Sequence, residues 1–591
     1  MKKLNGKTLG ILQCVGRIVM ALAVSLAASA APAAAWAQRP ALPEAGGVPH
    51  AGHGSAPAQP CGHGTLDLLL HRQFPQWQGP SGKSRGFPTV GEARSFWTYD
   101  LSVMPPKNVQ VAATCRAVGE HAAVWIGDAV WGKAVDQEDV DALLAALEST
   151  TPRTPGSGIV ENNTALFGPP PQFAQGDPDL TVLAYDIPGY KGYLFDGFFR
   201  PEDLQPFNPS CKGNPMLYCS NELGMVHVDS ANIGTDYMHG VVAHEMEHLI
   251  HFGADAGEVA WLDESLAELA MVFGGYEDPA NLAAFAASPG AALMSDAPVD
   301  YGACLLFGAY LHQRLGADVV RQIVESKANG LASIEALLPE GLTFPTLFAQ
   351  WTAANILDDT SVGNGEFGYD LVDVPPFSMD TLSSPSFEKT FSLPASAGVY
   401  LKVKGVQEAD TGIEVTLSST DAGVGMHAVV PSEGVVLPVA ANETAVVPPS
   451  AATAIQYFVL ANPGTSKATA KVASTPVPVD PLPEGAQEAD DVVTQEEVTT
   501  ADGIPAADGF EPSDTPGSGE TSADGSEAAD AGSDGAAGGD SEAGNAAGSG
   551  SGSSGCTLGT TPGRTGLALV FLLLALTLRL RFGKPGRALS R

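Results

Sequence analysis

Between Lys471 and Arg564 the chain has no lysine or arginine, while the same stretch carries 18 Asp and Glu. Its Gly, Ser, Ala, Asp and Glu bury too little apolar area to offset chain entropy, which predicts an extended acidic linker over 475–564. The whole chain has 30 Lys and Arg against 67 Asp and Glu, a net charge of −37, which argues against a nucleic-acid partner. No Cys-x-x-Cys pair occurs anywhere, so cysteine-based zinc clusters are excluded. Apolar runs are short as well: Ile18–Ala28 and Thr565–Leu578 both fall below the roughly 20 residues of a membrane-spanning helix. What is present is a chain of 591 residues, 44% apolar, enough to bury one large or two moderate cores.

Both ends read as addresses. Lys2, Lys3, Lys7 and Arg17 precede the first apolar run, and Ala35-Trp36-Ala37 fits a small-x-small cleavage site, so 1–37 is expected to be a signal peptide. Residues 38–64, rich in Ala, Gly and Pro, are expected to be poorly ordered. At the far end, Arg579, Arg581, Lys584, Arg587 and Arg591 follow the second run, predicting a cytoplasmic end with the bulk of the chain outside. With Gly555-Cys556 before it, the segment 565–591 resembles the MYXO-CTERM type of sorting tail. That resemblance implies a membrane contact before processing, and a final place at the cell surface or in the medium.

Export permits disulfides. Cys211 and Cys219 flank a short Gly/Pro-containing loop and form the expected bridge; Cys61 with Cys115 is the second candidate. Cys304, beside Leu305, Leu306 and Phe307, reads as a buried free thiol.

The centre of the chain is Val241–Ala270, VVAHEMEHLIHFGADAGEVAWLDESLAELA. Val242, Met246, Leu249 and Ile250 recur at helical spacing, so His244 and His248 of the HExxH pattern leave one face and can share a metal ion. Glu245, next to the first ligand, can reach water rather than the metal, as a general base must. Zinc needs a third protein ligand, and a second helix starting near Trp261 offers Glu264, with Glu268 one turn on to accept from a ligand imidazole. Leu262, Leu266, Leu269 and Phe273 bury the opposite side, so these glutamates are poor candidates for a merely solvated face. A HExxHxxGxxH site fails here, because positions 251 and 254 hold His251 and Ala254. His251 lies about 10 Å along the axis from His244 and is read as a supporting or core residue.

The pairing of HEMEHLIHF with WLDESLAELA resembles the gluzincin metallopeptidases. With GEHAAVWIGD, LTVLAYDIPG, SNELGMVHVDS and DYGACLLFGAYLHQRLG, the run from about Cys115 to Gly316 looks like the hyicolysin-like family of secreted zinc peptidases. The resemblance implies ligands His244, His248 and Glu264, base Glu245 and supporting Glu268. It also implies that the strand at Met225–Val228 is a sheet edge on which an extended peptide pairs. Tyr301-Gly302 matches a Tyr-Gly that related peptidases place over the reacting carbonyl; an ordinary aromatic at a helix start is the alternative. Two departures stand out: Asp263 where many relatives carry Asn, and Met246-Glu247 in place of an aromatic-Gln pair.

Strands are predicted at His121–Ile126 and Leu180–Tyr185, and helices at Gln137–Leu147, from Thr235 or Asp236 to Gly253, and up to Gly274-Gly275. Further helices are predicted at Asn281–Ala287, Tyr301–Leu315, Ala317–Lys327, Ile334–Leu338 and Phe344–Leu357. Over 384–474, short β-branched runs broken by Gly, Pro, Asn and Asp predict a small β-sandwich. The expectation is therefore an α+β chain: a gluzincin-like metallopeptidase domain over 65–375, β-rich then helical, followed by the sandwich. Function is expected to be Zn2+-dependent hydrolysis of peptides. The rivals are an inactive surface adhesin or scaffold on a peptidase fold, and a zinc hydrolase of non-peptide substrates.

Overall fold

The computed structural model describes residues within 58–478, apart from 62–78, 81–84, 104–105, 173–175, 190–193, 215–216, 296–298, 405–410 and 450–454. The signal segment, the linker and the C-terminal tail lie outside the described residues. Among those described, no helix is long and apolar enough to cross a membrane.

Ala58–Cys61 (β1), Ala93–Asp100 (β2), Lys107–Val118 (β3), Ala122–Gly127 (β4), Leu180–Tyr185 (β5), Leu194–Phe199 (β6) and Met225–Asp229 (β7) form one mixed sheet. Its order is β1-β6-β7-β5-β4-β3-β2. β4, β5 and β7 run parallel, β6 is antiparallel to β7, and β1 is parallel to β6. All residues of β4, β5 and β7 are buried, which is why these segments are mostly apolar rather than alternating, with Thr181, His227 and Asp229 as buried polar exceptions. Ala122, Val124 and Ile126 face the core shared with the helices, and Ala123 and Trp125 a second core on the other face.

Gln137–Glu148 (α1) and Ile159–Phe167 (α2) lie between β4 and β5. After β7 come Asp236–Ala254 (α3), Ala260–Gly274 (α4), Pro279–Ala287 (α5), Tyr301–Leu315 (α6), Ala317–Glu325 (α7), Leu331–Glu335 (α8) and Phe344–Leu357 (α9). The side chain of Thr235 accepts from the Met238 amide and that of Asp300 from the Ala303 amide, closing the N-termini of α3 and α6. Gly275, in the left-handed region with φ 84°, ends α4. The helix expected at Ile334–Leu338 forms earlier, as α8: it starts straight after Gly330, and Leu338 precedes Pro339, a position that disfavours helical backbone.

The remaining strands are Asp380–Leu382 (β8), Phe387–Leu393 (β9), Ala397–Val403 (β10), Thr411–Ser419 (β11), Gly425–Val430 (β12), Val435–Ala440 (β13), Glu443–Val447 (β14), Gln456–Asn462 (β15) and Ala468–Pro478 (β16). They make two sheets, β13-β12-β15-β10-β8 and β14-β11-β16-β9. Ile413, Val415 and Leu417 of β11 meet Met426, Ala428, Phe458 and Leu460 of the facing sheet in one apolar core. The outer face of the five-stranded sheet carries Tyr400, Val429, Val459 and Ala461 into the core of the helices, beside α9. Asn355 of α9 donates to the Tyr400 hydroxyl at 3.2 Å, so the sandwich is packed onto the helical part.

Two expectations need correction. β7 is not an edge: β5 and β6 occupy its two sides. Cys115 is a buried free thiol on β3, which lies five strands from β1, roughly 24 Å at 4.8 Å per strand, far beyond disulfide reach of Cys61. β1 lies within 38–64, and the rest of that stretch is outside the described residues. The other two cysteine expectations hold: Cys211 is bonded to Cys219, and Cys304 is free and buried.

Candidate metal centre

α3 and α4 pack against each other, and their contact brings three donors together. His244 Nε2 and His248 Nε2 are 3.2 Å apart; Glu264 Oε2 lies 3.3 Å from the first and 3.6 Å from the second. All three residues are buried. Four ligands held tetrahedrally at about 2.0–2.1 Å from one ion are about 3.3–3.4 Å from each other, so this near-equilateral triangle has the size a small divalent ion requires. These residues could hold a metal ion. Burial pushes the His244 imidazole below its ordinary range, keeping it neutral as a ligand must be. Burial opposes the charge of Glu264, yet the facing His248 and His244 hold its carboxyl down at about 2.

Carboxyl groups stand beside the outward nitrogens. His244 Nδ1 lies 3.5 Å from Glu268 Oε1, and His248 Nδ1 lies 3.0 Å from Asp263 Oδ2. Asp263 Oδ1 is in turn 3.0 Å from His251 Nδ1, which also approaches Glu247 Oε1 at 3.4 Å. Burial works against a charged His251, but Glu247 and Asp263 raise its pKa to about 10. His251 thus lies behind His248, between the carboxyl groups of Glu247 and Asp263. Glu247, His248 and Asp263 form a second group able to hold an ion. The 3.0 Å separation of His248 Nδ1 from Asp263 is a hydrogen-bond distance, shorter than two ligands of one ion usually show, and reads as ring orientation.

Sequence reasoning placed Asp263 and Glu247 only as departures from a family pattern. Their signal was present in register: Glu247 and His251 are four apart on α3, and Asp263 directly precedes Glu264. Their partnership crosses two helices, however, which no single periodicity reveals.

Glu245 is fully buried on α3, one step from His244. Its side chain lies against Gly197 of β6: a Cβ there would come within 3.0 Å of Glu245 Cγ, 3.1 Å of its Oε1 and 2.8 Å of Val241 Cγ1. Glycine is what lets β6 pass over the carboxylate. Tyr301 opens α6, its hydroxyl 3.5 Å from Glu264 Oε1 and its ring 6.5 Å from that of His244. A second glycine brings it there. A Cβ at Gly308 would collide with the Ser265 carbonyl at 2.0 Å, so only Gly allows α6 to lie this close to α4. All six residues expected at the centre are therefore gathered: His244, His248 and Glu264 converge, and Glu245, Glu268 and Tyr301 adjoin them.

No protein-family model matches the sequence, and no curated protein matches it. Among solved structures, the chain is similar to a periplasmic inhibitor of g-type lysozyme from Aeromonas hydrophila, with 7% identity, 17% of this chain, 97% of that one and a TM-score of 0.15. It is also similar to the pre-peptidase C-terminal domain of a Bacillus anthracis collagenase, with 11% identity, 17% of this chain, 100% of that one and a TM-score of 0.14. Likenesses this slight carry no argument about the site.

Proposed function

We propose that this chain is an exported zinc metallopeptidase of gluzincin type, hydrolysing peptide bonds with Glu245 as general base. The observation that carries the reading is the triangle of His244 Nε2, His248 Nε2 and Glu264 Oε2 with Glu245 on the adjoining helical position. Two imidazoles and one carboxylate, with a fourth position left for water, are the donor set of catalytic zinc. Bound zinc supplies Lewis acidity, lowering the pKa of water to about 7 and polarising a carbonyl. Glu245 takes the proton of the attacking water and hands it to the leaving amine. Tyr301, beside Glu264, donates to the oxyanion that develops on the carbonyl. Glu268 and Asp263 hold the two imidazoles in the tautomer that leaves Nε2 free. The signal-like N-terminus and the Cys211–Cys219 bridge support an oxidising, extracytoplasmic setting.

The test separates binding from chemistry. Glu245→Gln should retain one zinc per chain and lose nearly all hydrolysis of a casein-type substrate. A variant that turns over like the wild type would remove Glu245 from the reaction. A purified wild-type chain without tightly bound zinc and without chelator-sensitive hydrolysis would favour the adhesin reading instead. Hydrolysis confined to non-peptide esters or amides would favour the third.

A further inference from the structure

Resting on the peptidase reading, we propose that Ala58–Cys61 is an internal occupant of the peptide-docking edge of β6, closing the metal centre to extended peptides until it is displaced. A peptidase with little sequence demand binds its substrate by main-chain pairing along a strand edge. β7 offers no edge, since β5 and β6 flank it. β6 has β7 on one side only, and its Gly197 touches the Glu245 side chain, so its other side is the edge that leads past the base. In the described structure that side is taken. β1 pairs with it in parallel, Ala58 opposite Leu194, Gln59 opposite Phe195 and Cys61 opposite Gly197. β1 also lies beside α3, the helix of His244 and His248. Its last residue therefore stands about one strand spacing, 4.8 Å, from the residue that covers the general base.

The sequence of β1 suits an occupant. Ala-Gln-Pro-Cys has no β-branched or aromatic residue, the types that favour strands, so its own preference for the strand is weak, as an exchangeable occupant requires. Pro60 has no N–H, and successive residues of a strand turn their N–H groups to opposite sides. Pro60 therefore belongs on the outward side, and Gln59 and Cys61 present theirs to β6. An outward proline also prevents a further strand from adding to β1.

The experiment uses the full chain with Gln59→Pro and Cys61→Pro together, which removes both inward N–H groups. Hydrogen exchange reports whether the amides of Leu194–Phe199 facing away from β7 lose protection. Hydrolysis of an internally quenched peptide of about ten residues reports access to the site. Lost protection with kcat/KM raised roughly tenfold or more, the release of an intramolecular competitor, supports the proposal. So does restored inhibition on adding the free peptide Ser55–Gly64. Lost protection with unchanged kcat/KM, zinc bound and both proteins active, overturns it and leaves the peptidase reading standing. Unchanged protection in a variant that unfolds like the wild type also overturns it, because β1 then does not hold that edge. A chain that binds no zinc and hydrolyses nothing in either form ends both readings.

Discussion

Replacing Gly197 by alanine tests whether β6 positions the base. The added methyl would sit 2.8 Å from Val241 Cγ1, 3.0 Å from Glu245 Cγ and 3.1 Å from Glu245 Oε1, where ordinary contact begins at 3.4 Å. Neither neighbour can yield freely, since α3 is buried along almost its whole length and Gly197 is paired to Val228 of β7. The strain must move the Glu245 side chain or part α3 from the sheet by several tenths of an ångström. Overpacking of this kind costs about 1–3 kcal/mol of stability. Misplacing a catalytic group by about 1 Å costs on the order of 10²-fold in rate, so a smaller shift predicts a loss of roughly 10- to 100-fold in kcat/KM. Zinc content should not change, because the His244, His248 and Glu264 donors lie on α3 and α4 and not on β6. The assay is kcat/KM on a quenched peptide beside zinc stoichiometry and thermal unfolding. Adding Val241→Ala to Gly197→Ala removes the shortest contact and should recover stability more than rate. Wild-type kcat/KM in Gly197→Ala, with the protein folded and zinc bound, would refute the placement of Glu245 as a base held by β6.

Tyr301→Phe should lower kcat by roughly 10²-fold with KM little changed, the signature of a donor used in the transition state; an unaltered kcat would make Tyr301 an ordinary helix-start aromatic. Replacing Cys211 and Cys219 by serine opens a bridge spanning a sequence separation of 8, which on chain-entropy grounds predicts a loss of about 2.5 kcal/mol, read by denaturant unfolding. His427 is buried in β12 against Phe367, and burial pulls its pKa down to about 4. The unfolded chain binds a proton there at about pH 6.5 and the folded one does not, so this stability is present above about 6.5 and is lost as pH falls to about 4. His427→Gln should flatten that limb of the stability–pH curve; an identical acid limb would contradict it.

The parts of this molecule that were legible in the sequence are those whose cause is local. α6 and α9 run over the residues expected, because Asp300 and Thr343 cap them and apolar residues recur through both. β4, β5 and β7 could be read because burial on both faces leaves them mostly apolar, with few polar residues among them. β6 could not: LFDGFF carries an Asp and a Gly, each there for a partner elsewhere in the chain. Asp196 accepts from the Tyr237 hydroxyl of α3 at 2.8 Å, and Gly197 makes room for Glu245. The metal triangle was legible because spacing on α3 fixes two donors, and a one-turn pair of glutamates on the next helix supplies the third. Strand order was not legible, since which strand becomes an edge depends on pairings across more than 130 residues, such as β1 with β6. That is why the edge expected at Met225–Val228 turned out to be an interior strand, flanked by β5 and β6. The residues that break the apolar pattern of β6 mark where it meets α3: Asp196 bonds Tyr237 there, and Gly197 lies against Val241 and Glu245.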